Sequence, residues 1–141
     1  MTNETVREFL RSDPQAPAST PWGAPQAIHR LAEGIYRVSA ASHGGFYLGA
    51  QRMAELQAMV GEALAHPFAA AHAPDFSDGS GWFEEDEAGY LVRYFFHREV
   101  DAGEEPTQHV CEQMRALWPA YFAAAQGGDR PTIARAQRPR A

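Results

Sequence analysis

The run Ile35-Tyr36-Arg37-Val38-Ser39, the pair Gly44-Gly45 and the run Phe46-Tyr47-Leu48 constrain this chain more than any other stretch. Alternation puts Tyr36 and Val38 on one face of the first run and Ile35 and Arg37 on the other, the period-2 pattern of a strand. The second run is short, apolar and aromatic, which suits a pleated, half-buried surface. The glycines between them supply positive-φ conformations for a tight reversal. An antiparallel hairpin is expected, with His43 at the turn or at the start of its second strand.

A second hairpin is expected later in the chain. Residues 81–86 form one arm, Glu87-Ala88-Gly89 the turn and residues 90–97 the other arm. The second arm is aromatic or β-branched on both faces except at Arg93, which suits a central strand. In the first arm, Trp82, Glu84 and Asp86 share one face, and Phe83, Glu85 and Glu87 the other. Residues 51–65 carry Met53, Leu56, Val60 and Ala63 or Leu64 at helical spacing. Thr107 caps a last helix with Val110, Met114, Leu117, Tyr121 and Ala124 as its stripe, and Pro119 is expected to kink it. Residues 6–10 start a short helix that Pro14, Pro17 and Pro21 keep from growing. Residues 26–32 are expected as another short helix, ended by Glu33-Gly34.

These elements define an α+β class: a small antiparallel sheet of about four strands in two hairpins, with helices packed on one face. The chain divides into an N-terminal arm, residues 1–18, a single domain, residues 19–128, and an Arg-containing tail, residues 129–141, expected to be disordered. Residues 67–81 form a long loop. Trp22 is the one large anchor in the proline-punctuated stretch 12–25.

Composition excludes several function classes. One cysteine in 141 residues rules out an internal disulfide and a thiolate zinc site, and Cys111 reads as a small packing residue. No apolar run reaches the ~18–20 residues of a membrane span, and the N-terminus lacks the charged and apolar regions of a secretory signal. A cytoplasmic protein without membrane association is expected. The net charge is −6, and residues 75–112 hold eleven acids against Arg93 and Arg98. That balance argues against general nucleic-acid binding through phosphate neutralisation. Arg130, Arg135, Arg138 and Arg140 read as a short solubilising tail, with contact to nucleic acid or to an acidic partner as the alternative.

Two groups carry the chemical interest: Ser42-His43-Gly44-Gly45 and Trp82-Phe83-Glu84-Glu85-Asp86-Glu87. Histidine is the side chain ordinarily suited to proton transfer near neutral pH, which makes His43 a candidate general base or metal ligand, or else a turn histidine bonded to local backbone. Ser42 lacks the strand-elbow-helix setting of a nucleophile. Glu84 and Asp86 on one strand face can hold a cation or divide into acid and base; a solvated hairpin end is the plain alternative. Alternation turns Glu84 or Glu85 toward the core beside an aromatic, and that carboxylate needs a partner, with Arg93 or Arg37 the expected choice. His66 and His72 have no regular metal spacing, and His29, His97 and His109 are isolated. A metal set of His43, the motif acids and His97 requires the two hairpins to be neighbours.

Thr20-Pro21-Trp22-Gly23, Gln26, Glu33-Gly34-Ile35, Ala41-Ser42-His43-Gly44-Gly45 with Leu48, and Gly81-Trp82-Phe83-Glu84-Glu85-Asp86 resemble the signature of an uncharacterised domain-of-unknown-function family, numbered 7007, of phage, prophage and conjugative-element proteins. The resemblance covers about residues 19–98. Glu87 departs from it, standing where members tend to carry a cysteine or similar residue. The resemblance implies an accessory protein of a mobile element and carries no established chemistry.

These features lean away from catalysis. The chain reads as a non-enzymatic accessory or interaction protein of a phage or mobile element, a counter-defence inhibitor binding a host or defence-system protein, with no cofactor and no metal expected. Trp22, Ser42, His43, Gly44, Gly45, Trp82, Glu84, Glu85 and Asp86 are the candidate binding residues. The alternative is a hydrolase or metal-dependent enzyme using His43 with Glu84, Glu85 or Asp86. A third reading makes both motifs structural, with His43 inaccessible. The sequence leaves the oligomeric state open.

Overall fold

A computed structural model describes residues 3–65 and 81–126. Residues 67–80 of the long loop, the tail, His66 and His72 lie outside these residues, as do the side chains of Val60, Ala63, Leu64 and Ala124. The order is α1 (Asn3–Ser12), β1 (Ala27–Ala32), β2 (Ile35–Ser39), β3 (Gly44–Leu48), α2 (Ala50–Ala65), β4 (Trp82–Glu84), α3 (Gly89–Phe95), α4 (His97–Asp101), α5 (Gln108–Leu117) and α6 (Pro119–Gln126). The strands form one antiparallel sheet in the order β1-β2-β3-β4. The class is α+β.

The hairpin of β2 and β3 forms with Ile35 opposite Leu48 and Ser39 opposite Gly44. Its glycines are not in the turn, however. Residues 40–43 make the reversal, closed by the Ala40 N–H donating to the His43 carbonyl at 2.8 Å, and both glycines pair within β3.

Two expected elements are corrected. Residues 27–32 are a strand rather than a short helix. A helix of that length is marginal by itself, whereas Glu33-Gly34 makes a two-residue hairpin loop, with Ala32 opposite Ile35 and Gly34 at φ +76°. Ile28, opposite Val38, is then fully buried. Residues 90–97 are helical rather than the arm of a second hairpin. Gly89, Leu91, Val92, Tyr94 and Phe95 are all buried. A helix enclosed on most sides reads as a continuous apolar run, which periodicity cannot separate from a central strand. Arg93 and Tyr90, three residues apart, hold its more open side, the guanidinium lying 5.6 Å from the ring centre. Among the described residues β4 therefore pairs with β3 alone.

The remaining helices follow their sequence signals. The Thr107 side chain accepts from the Val110 N–H at 3.2 Å and caps α5. Pro119 ends α5 outright: Trp118 leaves helical geometry and α6 starts at the proline.

Side chains divide by sheet face. Ile35, Phe46, Leu48 and Phe83 join Met53, Leu56 and Met59 of α2, Leu91 and Phe95 of α3, Val110 and Met114 of α5, and Tyr121 of α6 in the main core. The other face carries a smaller cluster of Ile28, Tyr36 and Val38, covered by Val6, Phe9 and Leu10 of α1. The main helical layer thus lies on one face, and α1 caps one part of the other. Tyr36 ties the N-terminal segment down by donating to Asp13 Oδ2 at 2.8 Å. Burial, then that bond to Asp13, pushes its phenol up to about 12.

Candidate functional site

The second sheet face continues past α1 into an aromatic run. Tyr36, Tyr47 and Trp82 are neighbours across β2, β3 and β4, with ring centres 6.3 Å apart for Tyr36 and Tyr47 and 4.9 Å for Tyr47 and Trp82. Trp22 extends the run, meeting Trp82 edge-on at 5.4 Å. Its position is set locally. The Thr20 hydroxyl accepts from the Trp22 N–H at 3.0 Å and donates to the Gly23 carbonyl at 2.6 Å, and Gly23 takes a positive φ of 109°. This compact turn projects the indole onto the sheet at Gly45.

Gly45 explains itself by this contact. A Cβ there would run into the Phe83 carbonyl and lie 2.7 Å from the Trp22 ring. The absence of a side chain is therefore a matter of close approach. At Gly44 a Cβ would lie 3.2 Å from the Glu85 carboxylate, and the Glu85 N–H donates to the Gly44 carbonyl at 3.0 Å. The three segments Thr20–Gly23, Ser42–Gly45 and Trp82–Glu85 thus meet at one corner of the sheet.

His43 stands at this corner, with Nδ1 4.0 Å from Glu84 Oε1. The imidazole side chain is 56% exposed and the Glu84 side chain 29%. This is an open imidazole–carboxylate contact with solvent access, unlike the inaccessible histidine of the structural reading. Ser42 is exposed in the same turn. Glu85, Asp86 and Glu87 are exposed in the turn after β4.

The expected salt-bridge partners are corrected. Phe83 faces the main core, and Glu85 follows the same alternation, its carboxylate lying beside Gly44, but it stands past the end of β4 at the exposed edge of the sheet and is solvated rather than buried. Arg93 pairs with Asp101 at 3.4 Å, and Arg37 lies over the Phe46 ring at 5.6 Å. His97 is buried in α4 and bonded through Nδ1 to the Gly103 carbonyl at 2.7 Å. Among the described residues no three His, Cys, Asp or Glu side chains are grouped to hold a metal ion. Burial pushes the Cys111 thiol up, away from thiolate chemistry.

Two features escaped sequence reading. Tyr47 belongs to the aromatic run, and its parity with Tyr36 across the hairpin was the available signal. Arg52 is buried, and no periodicity marks it. Its Nε donates to the Glu33 carbonyl at 2.7 Å, and its NH1 reaches Glu55 at 3.2 Å and Glu99 at 3.3 Å. It joins α2, the β1–β2 turn and α4.

The fold and this corner define a small α+β domain whose distinctive residues gather into an aromatic and acidic surface beside an open histidine. The chain belongs to the family described as Domain of unknown function (DUF7007), which matches residues 15–141. That match extends past residue 98 and takes in the helices after Thr107. No curated protein and no solved structure matches the chain. Among the described residues no helix is long and apolar enough to cross a membrane.

Proposed function

We propose that this chain is a non-enzymatic interaction protein that captures a protein partner on the corner built by Trp22, His43, Gly45, Trp82, Glu84 and Glu85. One observation carries the reading. The segments that make the sequence distinctive converge on a surface that is open rather than enclosed, with half-buried indoles beside an exposed imidazole and carboxylates. Aromatic anchors rimmed by polar groups are the usual composition of binding hot spots. The resemblance to phage, prophage and conjugative-element proteins supplies the setting. In it, the partner is a host or defence-system protein of the bacterial cytosol, and the activity is counter-defence.

A second reading rests on the His43–Glu84 contact. A carboxylate facing an imidazole is half of a general-base arrangement, so a hydrolase is the alternative. At 4.0 Å the pair is longer than a hydrogen bond, and Ser42 beside it lies in a turn rather than at a strand-helix elbow.

Capture from host cytosol separates the two. The intact chain is expected to retain a protein that the His43→Ala, Glu84→Gln double variant loses at unchanged melting temperature. Equal capture by both proteins would remove the corner from the function. A turnover that disappears with His43→Ala, in the absence of any captured protein, would favour the enzyme.

A further inference from the structure

The corner also specifies the chemistry of what it takes. Gly45 and Glu84 are register partners on β3 and β4, so the Glu84 side chain rises on the sheet face that Trp22 covers. Trp82, two residues before Glu84, rises on that face too. The tip of the Trp22 indole at Gly45, a second indole at right angles to it and, on the register partner of Gly45, a partly exposed carboxylate therefore share this end of the sheet face. The faces of indoles attract cations, tryptophan most strongly among the aromatics. A carboxylate beside such a ring adds a charge-assisted hydrogen bond. The one ion pair of Glu84 among the described residues is with His43, at 4.0 Å, which leaves the carboxylate oxygens open to a closer donor.

We infer that this corner binds an arginine side chain of a protein partner, its guanidinium stacked on the open part of the Trp22 indole and hydrogen-bonded to Glu84. Arginine fits better than lysine because its plane stacks on a ring while its edge presents a fork of donors to a carboxylate. Glu85, Asp86 and Glu87 in the adjoining turn add a negative field that favours a basic segment around that arginine. The inference rests on the reading of this corner as the partner surface and names what the partner presents.

The test uses the full chain and N-acetyl-arginine N-methylamide as the probe, followed by NMR at the indole N–H groups. The Trp22 and Trp82 signals are expected to shift saturably. Trp118, whose N–H is held by the Glu87 carbonyl at 3.0 Å, serves as the internal reference and stays in place. The citrulline analogue, equal in shape but uncharged, is expected to bind about tenfold more weakly, and Glu84→Gln to weaken the arginine probe about tenfold in a protein of unchanged spectrum. No saturable shift at either indole, an equal response to citrulline, or indifference to Glu84→Gln overturns the inference. A lysine analogue that binds as well as arginine overturns the guanidinium assignment. Partner capture lost through His43 and Glu84 with no arginine response overturns this inference alone. An arginine response with capture unaffected by those residues supports the cation site and overturns the partner reading instead.

Discussion

Arg52 and His43 both face glutamates, and the contrast between them separates scaffold from site. The Arg52 side chain is 9% exposed and its partners Glu55 and Glu99 are 13% and 10%. It fastens α2 to the β1–β2 turn and to α4, and the Phe96 ring lies 5.7 Å from its guanidinium. His43 and Glu84 meet at 4.0 Å with 56% and 29% of their side chains in solvent. A buried charge must keep its partners, because a carboxylate left alone in low dielectric is costly. An exposed pair contributes little to stability and is free to change partners. The first pair therefore belongs to folding and the second is available for recognition.

Substitutions sharpen that contrast, and the largest effect lies on the buried side. Arg52→Ala removes the cation shared by Glu55 and Glu99 and is expected to cost about 3–5 kcal/mol in denaturant unfolding. A loss under 1 kcal/mol would erase the distinction between the two charge sites. Gly45→Ala strikes the boundary between scaffold and site, since its methyl group meets the Phe83 carbonyl and the Trp22 ring. Its expected cost is about 1–3 kcal/mol, together with a change in tryptophan fluorescence as the Trp22 contact opens. An unchanged spectrum would mean that Trp22 does not rest on Gly45.

Tyr36 links the aromatic face to α1, and its effect is conditional on pH. With its phenol pushed up to about 12, the native state keeps a proton that an unfolded tyrosine gives up near 10. This contribution is complete below pH 10 and is lost as pH rises from there toward 12. Phenolate absorbance is expected to show Tyr36 titrating late, alongside the Tyr121 phenol that burial also pushes up, and Asp13→Asn brings Tyr36 alone part of the way back. Burial, the larger cause, remains in that variant. The smallest stability effect belongs to the exposed pair: His43→Ala or Glu84→Gln is expected to change stability by under about 0.5 kcal/mol.

Legibility in the sequence followed the same division. β2 was readable because Ile35-Tyr36-Arg37-Val38-Ser39 alternates, and α5 because Thr107 is a strong cap before an apolar stripe. β1 was hidden because Ile28 and Leu31 fit a helix spacing, and only pairing with β2 decides the matter. α3 was hidden because a helix buried on most sides loses its periodicity. At the site, the peculiarity of Gly44-Gly45 was visible but its cause was not. A turn and a close approach both call for glycine, and the choice depended on Trp22, more than twenty positions away. The meeting of His43 with Glu84 depended on β3 pairing with β4, a long-range register that no local pattern encodes.

The central claim is that this corner recognises a partner and is not needed for folding. Melting temperature and partner capture measured together on the His43→Ala, Glu84→Gln double variant test it most directly. The expected result is an unchanged melting temperature with capture lost. A double variant that still captures the same protein, or that loses it only in proportion to the fraction unfolded, would contradict it.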